Sequence, residues 1–83
     1  MQSVKPGIYR HFKGNRYLVL GIFCHTETKE QYVAYIGALR FWIRPLNDFL
    51  GEVEFKGESI PRFSFQKSPS VSQIGESVLN GKF

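Results

Sequence analysis

The sequence predicts an all-β domain, specifically a small SH3-like barrel of five to six antiparallel strands with one 3-10 turn and a loose C-terminal tail. Short segments rich in aromatic and β-branched residues recur along the chain, separated by tight glycine turns. A helical turn is indicated at one place, directly after Pro45. With 83 residues, the chain has room for one small domain.

The first elements form a predicted β-hairpin with strands at residues 8–12 and 16–24. Between the strands, Gly14 and Asn15 tolerate positive φ and favour a short turn after Lys13. Residues 25–30 are polar and are predicted to form a loop. This pattern is typical of two neighbouring antiparallel strands followed by a longer connection.

Two more strands are predicted at residues 31–36 and 41–44, joined by a turn at residues 37–39. Proline lacks the N–H group that a strand ladder needs, so Pro45 ends the second of these strands. Proline is allowed at the start of a helix, so the next residues fit one helical turn. We expect Phe49, at the end of that turn, to fold back onto the core.

The last strands are predicted at residues 52–55 and 60–65, with a turn at residues 56–58. After Gln66 the composition changes to serine and glycine with few large side chains, as in a loose tail. We therefore expect a single SH3-like domain at residues 1–65 and a flexible or weakly docked tail at residues 66–83. A short helix at residues 72–79 would form on docking.

The composition excludes several classes of protein. Cys24 is the single cysteine, so neither an internal disulfide framework nor a thiolate metal site is expected. The N-terminus has no apolar run typical of a signal peptide. No segment approaches the ~20 apolar residues that span a bilayer. We expect a cytoplasmic protein that does not enter the membrane.

Positive charge is concentrated in the first half of the chain. Residues 1–45 contain seven Lys or Arg and two Glu, an excess of +5, whereas residues 46–83 contain four basic and five acidic residues, a balance of −1. This asymmetry favours an anionic partner, either nucleic acid or an acidic protein segment. A net charge of +4 is also compatible with a simple role in solubility.

Trp42 and Arg44 are the first candidates for a binding site. Side chains alternate along a strand, so these two share one face, while Phe41 and Ile43 share the other and are expected to join the core. Arginine can stack on a ring and bind an anion with two parallel hydrogen bonds. In the alternative interpretation, Trp42 closes one end of the barrel and Arg44 bonds a backbone carbonyl or a carboxylate.

Cations also gather around the first hairpin and near the last strand. Tyr9 and His11 share a face, Lys13 follows them, and nearby rings can stack on bases. Arg62 would lie beside Arg44 if the last strand pairs near it. Alternatively, the hairpin tip is solvated, and Arg62 forms salt bridges with Glu52 or Glu54, which contribute ~0–1 kcal/mol when exposed.

An ordered set of blocks resembles the bacterial domain-of-unknown-function family 1653. The blocks run from residue 7 to about residue 65: residues 7–15, 17–21, 25–28 with Glu30, Val33 with Tyr35, 42–45 with Phe49, and 61–63. The resemblance implies a small uncharacterised SH3-like β protein and no catalytic assignment. The family pattern points to His11, Lys13, His25, Glu27, Glu30, Tyr35, Trp42, Arg44 and Arg62.

The sequence favours a non-enzymatic binding module that presents an aromatic and arginine-rich groove to an anionic partner. The expected binding residues are Tyr9, His11, Lys13, Tyr35, Trp42, Arg44 and Arg62. One alternative is an enzyme or accessory enzyme domain that uses His11 and His25 with Glu27 or Glu30 as acid–base or metal groups. Another is a homo-oligomer with an aromatic interface. No catalytic residue, metal site or cofactor is assigned.

Overall fold

A computed structural model describes residues 4–68 of the chain as seven strands and one short helix. The predicted all-β class is confirmed. Strands, rather than helices, account for almost all of the regular structure, as the aromatic and β-branched segments predict. The elements in chain order are β1 (Gly7–His11), β2 (Arg16–Cys24), β3 (Gln31–Gly37), β4 (Arg40–Pro45), α1 (Leu46–Leu50), β5 (Glu52–Phe55), β6 (Glu58–Pro61) and β7 (Phe63–Lys67).

The strands form two antiparallel sheets. The larger sheet has five strands in the order β4-β3-β2-β1-β7, and β5 pairs with β6 in a separate two-stranded sheet. Within residues 4–68 the strands do not close into a barrel, so β4 and β7 are the two edges of the larger sheet. The count of seven strands exceeds the five or six predicted from the sequence.

The additional strand arises because the predicted strand at residues 60–65 is divided at Arg62. The backbone N–H of Arg62 donates to the carbonyl of Gly51 at 3.0 Å, and its own carbonyl accepts from the N–H of Phe12 at 2.9 Å. Pro61 lacks an N–H and ends β6, which pairs with β5, whereas β7 pairs with β1. The chain therefore passes from one sheet to the other at Arg62.

The predicted helical turn is present as a single turn of α-helix, α1, rather than a 3-10 turn. Pro45 stands at its N-cap, where the missing N–H costs nothing. Phe49 is buried and stacks on Phe63, with ring centroids 4.3 Å apart and planes at 13°. Within residues 4–68, no helix has the length and apolarity that are needed to cross a membrane.

The main core lies on one face of the five-stranded sheet, here called the inner face. It buries side chains from four strands, α1 and the segment before β1: Val4, Tyr9, Val19, Val33, Tyr35, Leu46, Phe49 and Phe63. A smaller buried cluster of Ile8, Leu18 and Ile36 consists of register partners with the opposite parity, so it lies on the outer face.

Strand β4 presents to the core the face opposite to the one predicted from the sequence. Phe41 and Ile43 are 76% and 69% exposed, so the expectation that they join the core is wrong. Trp42 pairs with Tyr35, a core residue of β3, and this register places Trp42 and Arg44 on the inner face. Both faces of β4 carry apolar residues, so alternation alone could not distinguish them.

The predicted tail begins within β7. Gln66 and Lys67 are the last residues of that strand, which pairs with β1. The remainder of the predicted tail, residues 69–83, and the helix predicted at residues 72–79 lie outside the described residues.

Candidate functional site

Phe63, the first residue of β7, is the centre of an aromatic cluster on the inner face. The ring centroids of His11, Tyr17 and Tyr35 lie 5.0, 6.1 and 5.5 Å from that of Phe63, each in an edge-to-face arrangement. Phe49 completes the cluster from the side of α1. Such pairs add ~0.5–1.5 kcal/mol each beyond the burial of their area. The cluster is therefore a rigid platform for the polar groups around it.

Arg44 lies over this platform. Its Nε donates a hydrogen bond to the Tyr35 hydroxyl at 3.3 Å, and its guanidinium carbon lies 5.7 Å from the centroid of Phe63. Within residues 4–68 its partners are therefore a neutral hydroxyl and a ring, and no carboxylate pairs with it. The carboxylate pairing considered from the sequence is not formed within these residues, so no described carboxylate compensates the charge of Arg44.

Arg62 reaches the same region from the link between β6 and β7. Its Nε donates to the backbone carbonyl of Asp48 at 3.2 Å, near the end of α1. Within residues 4–68 the salt bridges with Glu52 or Glu54 considered from the sequence are not formed. Arg62 therefore binds a helix carbonyl, which fixes the side chain without neutralising it.

The pKa of His11, at the end of β1, is sensitive to the positive charges at this site. Its Nδ1 accepts a hydrogen bond from the backbone N–H of Lys13 at 3.2 Å. Burial lowers the pKa of His11 below its ordinary value, and the positive charges that lower it further are those of Arg44, Lys13 and Arg62. Hence these four side chains share one electrostatic environment, here called the cationic rim: His11, Lys13, Arg44 and Arg62.

Two rings beside the rim remain partly exposed. The indole N–H of Trp42 donates to the carbonyl of Gly37 at 3.0 Å, while the indole is 38% exposed. Tyr17 packs so closely on Gly37 that a Cβ atom at this position would overlap its ring. Glycine at position 37 therefore allows the Tyr17 ring to lie against β3, near Trp42.

Two of the predicted binding residues have a different position from the others. Tyr9 is 7% exposed, and its hydroxyl donates to the carbonyl of Lys5 at 2.8 Å. Burial raises the pKa of this hydroxyl. Tyr35 is also buried in the core, with its hydroxyl beneath Arg44. Both tyrosines therefore position neighbouring groups, whereas His11, Lys13, Trp42, Arg44 and Arg62 have accessible surface.

His25 lies far from the cationic rim. Strand β2 has nine residues, so its two ends are separated by about 26 Å, and His11 and His25 lie near opposite ends. The Nδ1 atom of His25 accepts hydrogen bonds from the backbone N–H groups of Glu27 and Thr28, at 3.2 Å each. The structure thus uses His25 to cap a turn and does not bring it to His11.

The other candidate ligands do not gather either. Glu30 accepts a hydrogen bond from the Tyr32 hydroxyl at 3.1 Å, in the same loop region as His25. Within residues 4–68, no three His, Cys, Asp or Glu side chains are placed to hold one metal ion. Cys24 is exposed, at the end of β2.

An open pocket of ≈ 400 Å³ lies beside the cationic rim. It is bounded by strands β1, β5, β6 and β7 and by the segment after β1, and its lining is Arg10, His11, Phe12, Phe55, Ile60, Pro61 and Ser64. Neither Trp42 nor Arg44 lines it. Of the four rim residues, His11 alone lines this pocket.

Phe63, the centre of the site, was not among the binding residues predicted from the sequence, and neither was Tyr17. Phe63 stands next to Arg62 in the chain, which was the available signal. Its role depends on β7 pairing with β1 and on α1 packing against it, and these are long-range contacts. Tyr17 depends in the same way on its contact with Gly37.

Comparison with known proteins gives a consistent match. A family model described as "Protein of unknown function (DUF1653)" matches residues 7–65. The crystal structure of a DUF1653 protein from Bordetella bronchiseptica is 32% identical, with a TM-score of 0.71 over 81% of this chain and 92% of that chain. No curated protein matches the chain. The matched region contains the complete cationic rim and its aromatic platform.

Proposed function

The chain belongs to the DUF1653 family, and we propose that this β domain is a binding module that holds an anionic partner, nucleic acid or an acidic protein segment, on its cationic rim. The observation that carries the proposal is the placement of Arg44, Lys13 and Arg62 around His11, whose pKa is lowered first by burial and further by these three cations. Within residues 4–68, Arg44 has no carboxylate partner. A bound anion would supply the missing negative charge.

The two arginines are arranged to bind such an anion. Each uses its Nε atom within the protein, Arg44 with the Tyr35 hydroxyl and Arg62 with the Asp48 carbonyl. Within residues 4–68 the terminal nitrogens of both guanidinium groups make no hydrogen bond, so they can donate to a phosphate or carboxylate. Because the Nε contacts already restrict both side chains, less rotamer entropy would be lost on binding.

The rings beside the rim extend the range of suitable partners. Trp42 and Tyr17 are partly exposed and lie on the same face of the sheet as Arg44. Exposed aromatic rings beside cations are the usual surface for unpaired bases, and stacking contributes ~1–3 kcal/mol per base. An acidic protein segment would use the same cations without the stacking.

The separation of the two histidines favours binding over catalysis. His11 and His25, the acid–base pair of the enzyme alternative, lie near opposite ends of a nine-residue strand. No specific observation favours the enzyme alternative or the aromatic oligomer as a second function.

The test is a titration of the full chain with a fluorescent oligothymidylate and, separately, with an oligoglutamate, at several salt concentrations. We expect wild-type affinity to fall as salt rises. The double variant R44Q/R62Q should bind at least about tenfold more weakly. Its logarithmic salt slope for oligothymidylate should be reduced by about 1 for each phosphate that the variant no longer neutralises.

The matched control is R10Q/R16Q, which removes the same charge from β1 and β2. Arg10 and Arg16 are exposed and pair with each other across the hairpin. They lie on the outer face of the sheet, opposite to the inner face that carries Tyr9 and Tyr17. We expect this control to bind nearly as tightly as wild type. Equal losses of affinity in both double variants would mean that net charge, and not the rim, drives binding. Absence of binding to either probe at low salt would overturn the proposal.

A further inference from the structure

The outer face of the five-stranded sheet carries an exposed apolar strip, here defined as Phe23 of β2 with Phe41 and Ile43 of β4. Their side chains are 52%, 76% and 69% exposed. Phe23 and Ile43 line a shared pocket of ≈ 250 Å³ together with Tyr32, the register partner of Phe23. Large apolar side chains grouped on a surface commonly mark a site of protein contact.

Strand β4 also has an open backbone edge. It is the last strand of the five-stranded sheet, and within residues 4–68 it pairs with β3 alone. The β3–β4 hairpin has a two-residue turn, Ala38 and Leu39, so Gly37 and Arg40 form a hydrogen-bonded pair. Alternation then directs the backbone N–H and C=O groups of Phe41 and Ile43 away from β3.

Phe41 and Ile43 belong both to the open edge and to the apolar strip. An added strand that bonds to the backbone of Phe41 and Ile43 would place every second side chain against their exposed rings and alkyl groups. Its intervening side chains would face the inner side, where Arg40, Trp42 and Arg44 alternate on β4. The chemistry of the two faces therefore specifies an alternation of apolar and acidic residues.

We propose that β4 binds an extended segment of another protein as an additional antiparallel or parallel strand, and that this segment alternates apolar with acidic residues. The inference rests on the proposed function, because the acidic side chains would occupy the cationic rim at Arg44. It adds the class of partner, a protein rather than a nucleic acid, and the way in which the partner is held.

Charge argues against a second copy of this chain as the occupant. In an antiparallel self-pairing that satisfies the backbone groups of both Phe41 and Ile43, Trp42 would face its own copy. Arg40 would then lie opposite Arg44 of the second copy. Like charges directly opposite one another destabilise a strand pair. An acidic segment instead places carboxylates opposite both arginines, so complementarity selects that partner.

The test uses the full chain and a synthetic peptide that alternates valine and glutamate. The control peptide has the same residues in two blocks, one of valine and one of glutamate. Hydrogen exchange followed by NMR should show fast exchange at the amides of Phe41 and Ile43 in the free protein. The alternating peptide should slow exchange at both amides, and it should bind at least about tenfold more tightly than the block peptide.

The variant F41S/I43S removes two of the three apolar side chains of the strip, and L50S removes a side chain that is 38% exposed at the end of α1. We expect F41S/I43S to bind the alternating peptide at least about tenfold more weakly, because two large apolar side chains no longer pack against it. The L50S control should bind it as wild type does. Both variants should keep wild-type affinity for oligoglutamate, which needs only the rim.

Several results would overturn the inference. Equal binding of the two peptides, without slowed exchange at Phe41 and Ile43, would remove strand addition but leave anion binding at the rim intact. Tight binding of oligothymidylate with no binding of the alternating peptide would also exclude strand addition and leave anion binding at the rim intact. Slow exchange at these amides in the free protein would show a different occupant: a second copy if it depends on concentration, and the chain itself if it does not.

Discussion

His11 is the residue at which the charge of the cationic rim can be measured, because an imidazole titrates near neutral pH. Its pKa is lowered first by burial and then by Arg44, Lys13 and Arg62. The folded protein therefore prefers the neutral ring, whereas the unfolded chain protonates it at the ordinary value. Below that value the unfolded state binds more protons than the folded state.

The first expected outcome concerns the pH dependence of stability. As pH falls from about 7.5 through about 6.5, the unfolded value for histidine, the free energy of unfolding should decrease, and the decrease should stop below the folded pKa of His11. Urea unfolding at a series of pH values measures it. The H11Q variant should lack this component, so identical pH profiles for wild type and H11Q between about pH 7.5 and 5.5 would contradict the assignment.

Individual residues at the site were only partly predictable. Alternation correctly placed Tyr9 and His11 on one face, and the sequence identified Arg44 and Arg62 as a pair that could converge. The sequence could not distinguish a residue whose side chain is exposed for binding from one whose buried side chain positions a neighbour. Tyr35 shows the difference, since its burial and its contact with Arg44 depend on strand register and on packing from α1.

At the scale of elements, the β3–β4 hairpin contains an unusual turn. Ala38 and Leu39 adopt φ values of 53° and 61°, a conformation that favours glycine or asparagine. Leu39 is 65% exposed, so it gains little by packing. The β5–β6 hairpin has the usual solution, because Gly57 occupies the second turn position with φ 81°. The unfavourable turn precedes β4, the strand that carries the proposed binding edge.

The second expected outcome follows from this contrast. Replacing Leu39 with glycine should raise the free energy of unfolding by roughly 1 kcal/mol, because the left-handed conformation penalises a Cβ atom. The G57A variant is the matched control. A Cβ atom at position 57 would meet nothing within 4 Å, so only the left-handed backbone conformation opposes it. The free energy of unfolding of G57A should therefore fall by a similar amount. Chemical denaturation of both variants measures the two changes. Destabilisation by L39G would show that Leu39 contributes a contact that outweighs the strain.

The elements themselves were largely predictable from sequence. Strong alternation and glycine turns located β1 to β5 to within a residue or two, and Pro45 marked the end of β4 and the start of α1. The break at Arg62 was not predictable, because the apolar alternation continues through it and only Pro61 hinted at an interruption. The break is fixed by hydrogen bonds to Gly51 and Phe12, which are distant in sequence.

At the scale of the whole molecule, the site depends on topology. Pairing of β7 with β1 brings Phe63 beside His11, and the register of β3 with β4 brings Arg44 over Tyr35. The rim therefore combines residues from the start, the middle and the end of the described chain. The charge asymmetry of the sequence indicated a basic surface, but Arg62 joins it from the acidic half.

Anion binding at the cationic rim is tested most directly by the pKa of His11 with and without an anionic probe, followed by NMR in the full chain. Saturating oligothymidylate or oligoglutamate should raise this pKa, because a negative charge on the rim stabilises the imidazolium ion. The rise should persist in R10Q/R16Q and diminish in R44Q/R62Q. An unchanged His11 pKa at saturation with both probes would contradict binding at the rim, because the anion would then be held elsewhere on the protein.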